Sequence, residues 1–192
     1  KVVALVLTPA LAWMTGIPFE VPLLAVQLLW SNVIMEGIPG VAISMDSGGS
    51  GIMKEKPALL EQPILTWREK AGLFLDGTVF GLAITAIYAL SFIQNGDQNL
   101  ARTLAFAVTL LGPQIYVFVL REGSLSEKIK APNRLLKLFL LFTVAMLAVI
   151  LFVPVFNQIF STVPVTRLSD WGFILLFSLF TPLFRVLLSL KK

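Results

Sequence analysis

The chain has 192 residues, 57% of them hydrophobic and 14% charged, against about 45–50% and 25% in soluble domains. That balance excludes a disordered chain and speaks against an ordinary soluble domain, while the lack of any Cys or His removes thiol nucleophiles, disulfides, imidazole bases and Cys/His zinc sites. The net charge of +4 does not indicate nucleic acid, because Lys and Arg fall between long apolar runs, as membrane-flanking residues do.

A hydrocarbon core of about 30 Å needs about 20 mostly apolar helical residues. The first run, 2–15, is apolar but short, and without a Met or a small-residue cleavage site it is expected to be the end of a helix rather than a secretory signal. Five full-length runs follow at 21–45, 71–93, 100–120, 135–156 and 171–190. Gly16-Ile17-Pro18, Gln94-Asn95-Gly96-Asp97 and Ala131-Pro132-Asn133 supply turns, and Ser47-Gly48-Gly49-Ser50-Gly51 reads as a flexible loop. The expected fold is all-α: a polytopic membrane bundle of about six transmembrane helices, forming one transmembrane domain over 1–192.

If the first helix runs outward, twelve Lys and Arg residues fall on the inner side, among them Arg68, Lys70, Lys128, Lys130, Arg134 and Lys137, and only Arg102 and Arg167 on the outer, leaving Lys1 aside. This asymmetry predicts a cytoplasmic C-terminus. Trp13, Trp67 and Trp171 lie near run ends, as an interfacial belt requires, whereas Trp30 is deep enough to be read as helix packing. Arg185 is read as a snorkelling anchor in preference to a gating or binding charge, and Asp76 as an interfacial group in preference to a buried proton carrier.

Glu36 lies in the middle of the second run, where an acidic side chain costs about 2.5 kcal/mol or more. Asn32 is four residues earlier and shares its helical face. In Glu36-Gly37-Ile38-Pro39-Gly40, proline lacks the N–H that would bond the Met35 carbonyl, and the two glycines ease departure from regular helix. The pattern predicts an unwound turn with free carbonyl oxygens beside a carboxylate and an amide. Irregular backbone at this depth belongs where it lines a cavity or a transport site, and hard cations take such oxygens. A protonated Glu36 bonded to a neighbouring helix, with Pro39 a simple kink, stands as the alternative. Gly112-Pro113-Gln114 is a weaker second candidate: Pro113 frees the Thr109 carbonyl and Gln114 offers an amide oxygen, or the pair makes a kink and an interhelical hydrogen bond.

The stretch Val26-Gln27-Leu28-Leu29-Trp30-Ser31-Asn32-Val33-Ile34-Met35-Glu36-Gly37-Ile38-Pro39 resembles the sixth transmembrane helix of P-type cation-transporting ATPases, especially the calcium-pump-like branch, whose form is close to V-Q-L-L-W-x-N-L-V-T-D-G-L-P. Ordered matches continue at Gly51-Ile52-Met53 with Lys56-Pro57, at Ala101-Arg102-Thr103-Leu104-Ala105-Phe106, and at Phe160-Ser161-Thr162-Val163-Pro164 with Asp170-Trp171. The resemblance implies that the runs are the end of helix five and helices six to ten of a pump.

By the same resemblance, Asn32 stands at a ligand asparagine and Glu36 at a ligand usually Asp. Met35 replaces a threonine, leaving its backbone carbonyl, and the ligands of the fifth helix fall near Val2 and Leu5 or before the first of these residues, and in either case are absent here. A ligand position of the eighth helix falls on Pro113, beside Gln114. The implied cargo is a cation such as Ca2+, with ATP and Mg2+ handled only in the parent protein, because no D-K-T-G phosphorylation motif or nucleotide domain occurs in these residues. The implied partners are the lipid bilayer, the plasma or inner membrane if the source is prokaryotic, and the N-terminal part of the pump. A non-transporting, pump-derived scaffold with a degenerate site is the competing expectation.

Overall fold

The computed structural model describes residues 1–44, 65–120 and 134–189, and every regular element among them is helical. Helix α1 spans Val2–Thr15 and ends where Gly16 adopts a φ of 70°, a left-handed conformation open to glycine without a Cβ clash. A connector carrying Pro18 and Pro22 leads to α2 (Ala25–Trp30), which continues through a π-helical turn (Ser31–Glu36) into α3 (Gly37–Ser44). Helix α4 (Trp67–Asn95) opens on a capping box in which the Glu69 carboxylate accepts from the Thr66 N–H at 2.7 Å, and Gly96 at φ 67° closes it. There follow α5 (Gln98–Leu120), α6 (Arg134–Phe152), α7 (Pro154–Phe160) and α8 (Leu168–Ser189).

Two expected helices are corrected. The run 135–156 is split at Val153, because Pro154 cannot donate to the Ile150 carbonyl. That carbonyl instead accepts from Asn157 Nδ2 at 2.5 Å and Thr162 Oγ1 at 3.1 Å. The break expected at Gly37, Pro39 and Gly40 takes another form: these residues lie inside α3, and the irregular segment is the π turn just before them. Proline is accommodated there because the Met35 carbonyl, which it leaves without a helical donor, accepts a side-chain hydrogen bond instead. Likewise α5 runs through Pro113 without a break. The loop at 47–51, the motifs Gly51-Ile52-Met53 and Lys56-Pro57, the turn 131–133 and the basic residues Lys128 and Lys130 lie outside the described residues.

Four helices, α4, α5, α6 and α8, are long and apolar enough to cross a membrane, and α1 is a shorter apolar helix. Helix α5 occupies the centre, packed against α4, α6, α8 and the π turn, and every residue from Ala101 to Gly112 is buried. The outer helices carry large apolar side chains outward: Leu138, Leu141 and Val144 on α6, and Leu175, Leu176, Leu179 and Leu183 on α8 are exposed. Buried polar residues such as Gln27, Thr103, Gln114 and Thr143 lie inside. This inside-out arrangement suits lipid around the bundle, and the chain is a helical, multi-pass integral membrane protein.

At the end of the bundle that carries the α1–α2 hairpin, Arg102 bonds Glu20 at 2.6 Å and the Val21 carbonyl at 3.3 Å. Gln98 Nε2 donates to the Pro18 carbonyl at 2.7 Å, and Tyr88 hydrogen-bonds to Gln98 and to the Glu20 N–H. Trp30 packs edge-on against Phe160, with ring centroids 5.4 Å apart, as its depth in the second run implied. These contacts fix the second helical run against α5 and α7, and so set the height of Glu36 in the bundle.

Candidate functional site

The π turn places Asn32 and Glu36 on one face and Met35 on another. A π turn adds a residue to the helical circuit and commonly marks functional sites. Asn32 and Glu36 converge on one positive group, the Lys1 ammonium at the start of α1. Its Nζ lies 2.5 Å from Glu36 Oε1, donates to Asn32 Oδ1 at 2.7 Å and to Ser31 Oγ at 2.9 Å. The Lys1 side chain is 11% exposed while that of Glu36 is 46% exposed, so the cation is enclosed and the carboxylate still faces open space. Carboxylate, amide and hydroxyl oxygens together form a hard-cation ligand set. Among the described residues no cluster of three or more His, Cys, Asp or Glu occurs.

Met35 and Gln114 meet on the other side of the turn. The Met35 carbonyl, which Pro39 leaves without its helical donor, accepts from Gln114 Nε2 at 2.6 Å, while the Met35 side chain is buried and its sulfur lies 3.7 Å from Thr143 Oγ1. The sequence pattern identified the freed carbonyl and Gln114 separately. The fold joins them, satisfying a group whose burial unpaired would cost about 1–3 kcal/mol. Pro113 lines the cavity beside Glu36, and the preceding Gly112 lies so close to Phe80 that an added methyl would sit 2.6 Å from its Cε2. Gly37 and Gly40 have no close neighbours.

A cavity of about 520 Å³ opens beside this group. Lys1, Asn32 and Glu36 form one part of its wall and Asp76, Tyr116 and Thr181 another. Asp76 and Arg185 correct their sequence reading. Asp76 is 4% exposed, its Oδ2 accepts from the Tyr116 hydroxyl at 2.5 Å, and Arg185 Nη1 lies 3.2 Å from the same oxygen. Sequence reasoning missed this group because its members come from α4, α5 and α8, and no local spacing relates them. It missed Ser31 and Lys1 as well. Ser31 precedes Asn32 and carried a hydroxyl signal that was available, whereas Lys1 could be placed only by the packing of α1.

Residues 20–190 match the family described as "Cation transporting ATPase, C-terminus". The chain is 31% identical over 157 residues to a calcium-transporting ATPase of Bacillus subtilis, a match that covers 78% of this chain and 17% of that protein. It is 28% identical over 210 residues to calcium-transporting ATPase 1 of Bacillus cereus, covering 100% of this chain and 23% of that protein. A plasma-membrane-type calcium-transporting ATPase 4 of Arabidopsis thaliana is 37% identical over 75 residues, covering 38% of this chain and 7% of that protein. The chain thus spans less than a quarter of the length of these relatives.

Proposed function

Because this chain belongs to the cation-transporting ATPases, as part of their C-terminal membrane region, we propose that it holds the transported cation in the membrane, and that the cation is Ca2+. The observation that carries this reading is the convergence of Glu36 Oε1, Asn32 Oδ1 and Ser31 Oγ on a single positive charge, all within 2.9 Å of Lys1 Nζ. Oxygens already disposed around an ammonium need little rearrangement to surround a metal cation of similar reach. Calcium is the choice because the relatives of Bacillus are calcium-transporting.

In this reading Glu36 and Asn32 are the primary ligands. The Met35 carbonyl joins them when the turn rotates it away from the Gln114 amide, so completion of the site is felt by α5. The energy comes from ATP, with Mg2+, in the remaining N-terminal part of the pump, which transmits it to these helices. The positive-inside asymmetry supports a cytoplasmic C-terminus, and in a prokaryotic source the pump would sit in the inner or plasma membrane. The scaffold alternative draws on the loss of ligands at positions matching the fifth helix and, at Pro113, the eighth; kinship with calcium-transporting ATPases does not favour it.

The test is phosphoenzyme formation by the full-length pump, screened over Ca2+, Mg2+, Mn2+, Na+ and K+, with and without Glu36→Gln. Selective stimulation by Ca2+ that the substitution abolishes is the expected result. Unchanged ion dependence in Glu36→Gln overturns the site.

A further inference from the structure

The cavity beside Glu36 holds a second carboxylate whose environment is incomplete. Asp76 Oδ2 is bonded to Tyr116 and Arg185, but Oδ1 is buried with no hydrogen-bond partner. The Thr181 hydroxyl, also lining the cavity, is 4% exposed and equally without a partner. Buried polar atoms are ordinarily satisfied, and a carboxylate oxygen without a donor is among the most costly to leave bare. Glu36, by contrast, already faces the Lys1 ammonium. Resting on the reading of the chain as part of a cation pump, we infer that Asp76 and Thr181 form a second station for a small hard cation, entered before Glu36, and that Arg185 is the resident charge that the cation displaces.

The placement fits an approach route. Helices α1 and α4 run in the same direction from the end opposite the α1–α2 hairpin, and Val3 packs on Gly81, where an added methyl would lie 2.5 Å from Val3 Cβ. Lys1 and Asp76 lie two and five residues before these contact points, so Asp76 is offset from Lys1 by about 5 Å toward the start of α4, at 1.5 Å per residue. On α5, which starts at the hairpin end, Tyr116, the partner of Asp76, lies two residues beyond Gln114, the partner of the Met35 carbonyl next to Glu36, so a cation entering from the opposite end meets Asp76 before it reaches Glu36. The carboxylate of Asp76 and the oxygens of Thr181 and Tyr116 are the hard ligands such an ion takes.

Arg185 is held in a way that permits release. It makes one contact of 3.2 Å with Asp76, not a two-pronged pair, and its side chain is 36% exposed. Its guanidinium lies across Gly72, one turn before Asp76: a Cβ at Gly72 would be 3.0 Å from Nη1. Only a residue without a side chain lets the guanidinium rest there undisturbed. Swung outward, Arg185 would leave Asp76 Oδ1 open to the cation and Oδ2 bonded only to the Tyr116 hydroxyl.

The experiment uses the full-length pump and titrates phosphoenzyme formation with Ca2+ in Asp76→Asn, Arg185→Gln and Thr181→Val. Both charge substitutions break the same ion pair, so a purely structural pair predicts that they act alike. The station predicts opposite signs. Asp76→Asn should lower the apparent Ca2+ affinity about tenfold and Arg185→Gln raise it severalfold, the size expected for losing one charged ligand or one competing charge. Thr181→Val, which leaves the ion pair intact, should lower affinity about threefold by losing one neutral oxygen ligand. Shifts of the same sign in Asp76→Asn and Arg185→Gln, or no shift in either, overturn the station while leaving the Glu36 site standing. A wild-type pump with no cation-dependent phosphoenzyme overturns the pump reading and this inference with it.

Discussion

Lys1 decides how the Glu36 group is understood. Its ammonium occupies the point where Glu36, Asn32 and Ser31 converge, and a metal cation at that point must displace it. Removing the competing charge by Lys1→Met should therefore raise the apparent cation affinity of the full-length pump, by at least about tenfold for a unit charge at contact distance. An unchanged or weakened affinity in a titration of phosphoenzyme against Ca2+ would mean that the ammonium is itself a structural member of the site. The sequence carried much of this group. The four-residue spacing of Asn32 and Glu36 put both on one face, and the chemistry of proline identified the Met35 carbonyl as lacking a donor. What spacing could not supply is the origin of the cation, because the contact between Lys1 and Glu36 is set by how α1 packs beside the π turn. The link between Asp76 and Arg185 is hidden for the same reason: it joins residues on separate helices, and each alone looks like an ordinary membrane-flanking charge.

Prolines shape the elements through the carbonyls they leave without donors. Pro39 leaves Met35, which Gln114 serves, and Pro154 leaves Ile150, which Asn157 and Thr162 serve. Gln114→Leu should leave the Met35 carbonyl buried and unpaired, destabilising the protein by about 1–3 kcal/mol. Pro39→Ala restores a backbone N–H to the same carbonyl, so the double variant should recover most of that loss in thermal unfolding of the detergent-solubilised pump. Equal destabilisation in the single and double variants would show that Gln114 matters for something other than this bond. The positions of the helices were readable from hydropathy, and their ends at Gly16 and Gly96 from turn chemistry. The π turn was not, because widening a helix by one residue leaves no mark on composition or hydropathy. The split of 135–156 was concealed because apolar residues continue on both sides of Pro154.

In the whole molecule, α5 is the buried axis and the surrounding helices turn apolar faces outward, so the groups proposed to hold the cation lie between packed helices. The approach of Val3 to Gly81 sets how α1, and with it Lys1, sits against α4. Gly81→Leu should force the two helices apart and impair the response to Ca2+ although it touches no proposed ligand, whereas unaltered phosphoenzyme titration would show that the register of α1 and α4 is unimportant to the site. The central claim, that Glu36 and Asn32 hold the transported cation, is met most directly by equilibrium binding of radiolabelled Ca2+ to the purified full-length pump without ATP, compared between wild type and Glu36→Gln. The account predicts saturable binding in the wild type that is lost in the variant, with the variant still folded by its unfolding temperature. Equal binding by both proteins would contradict it.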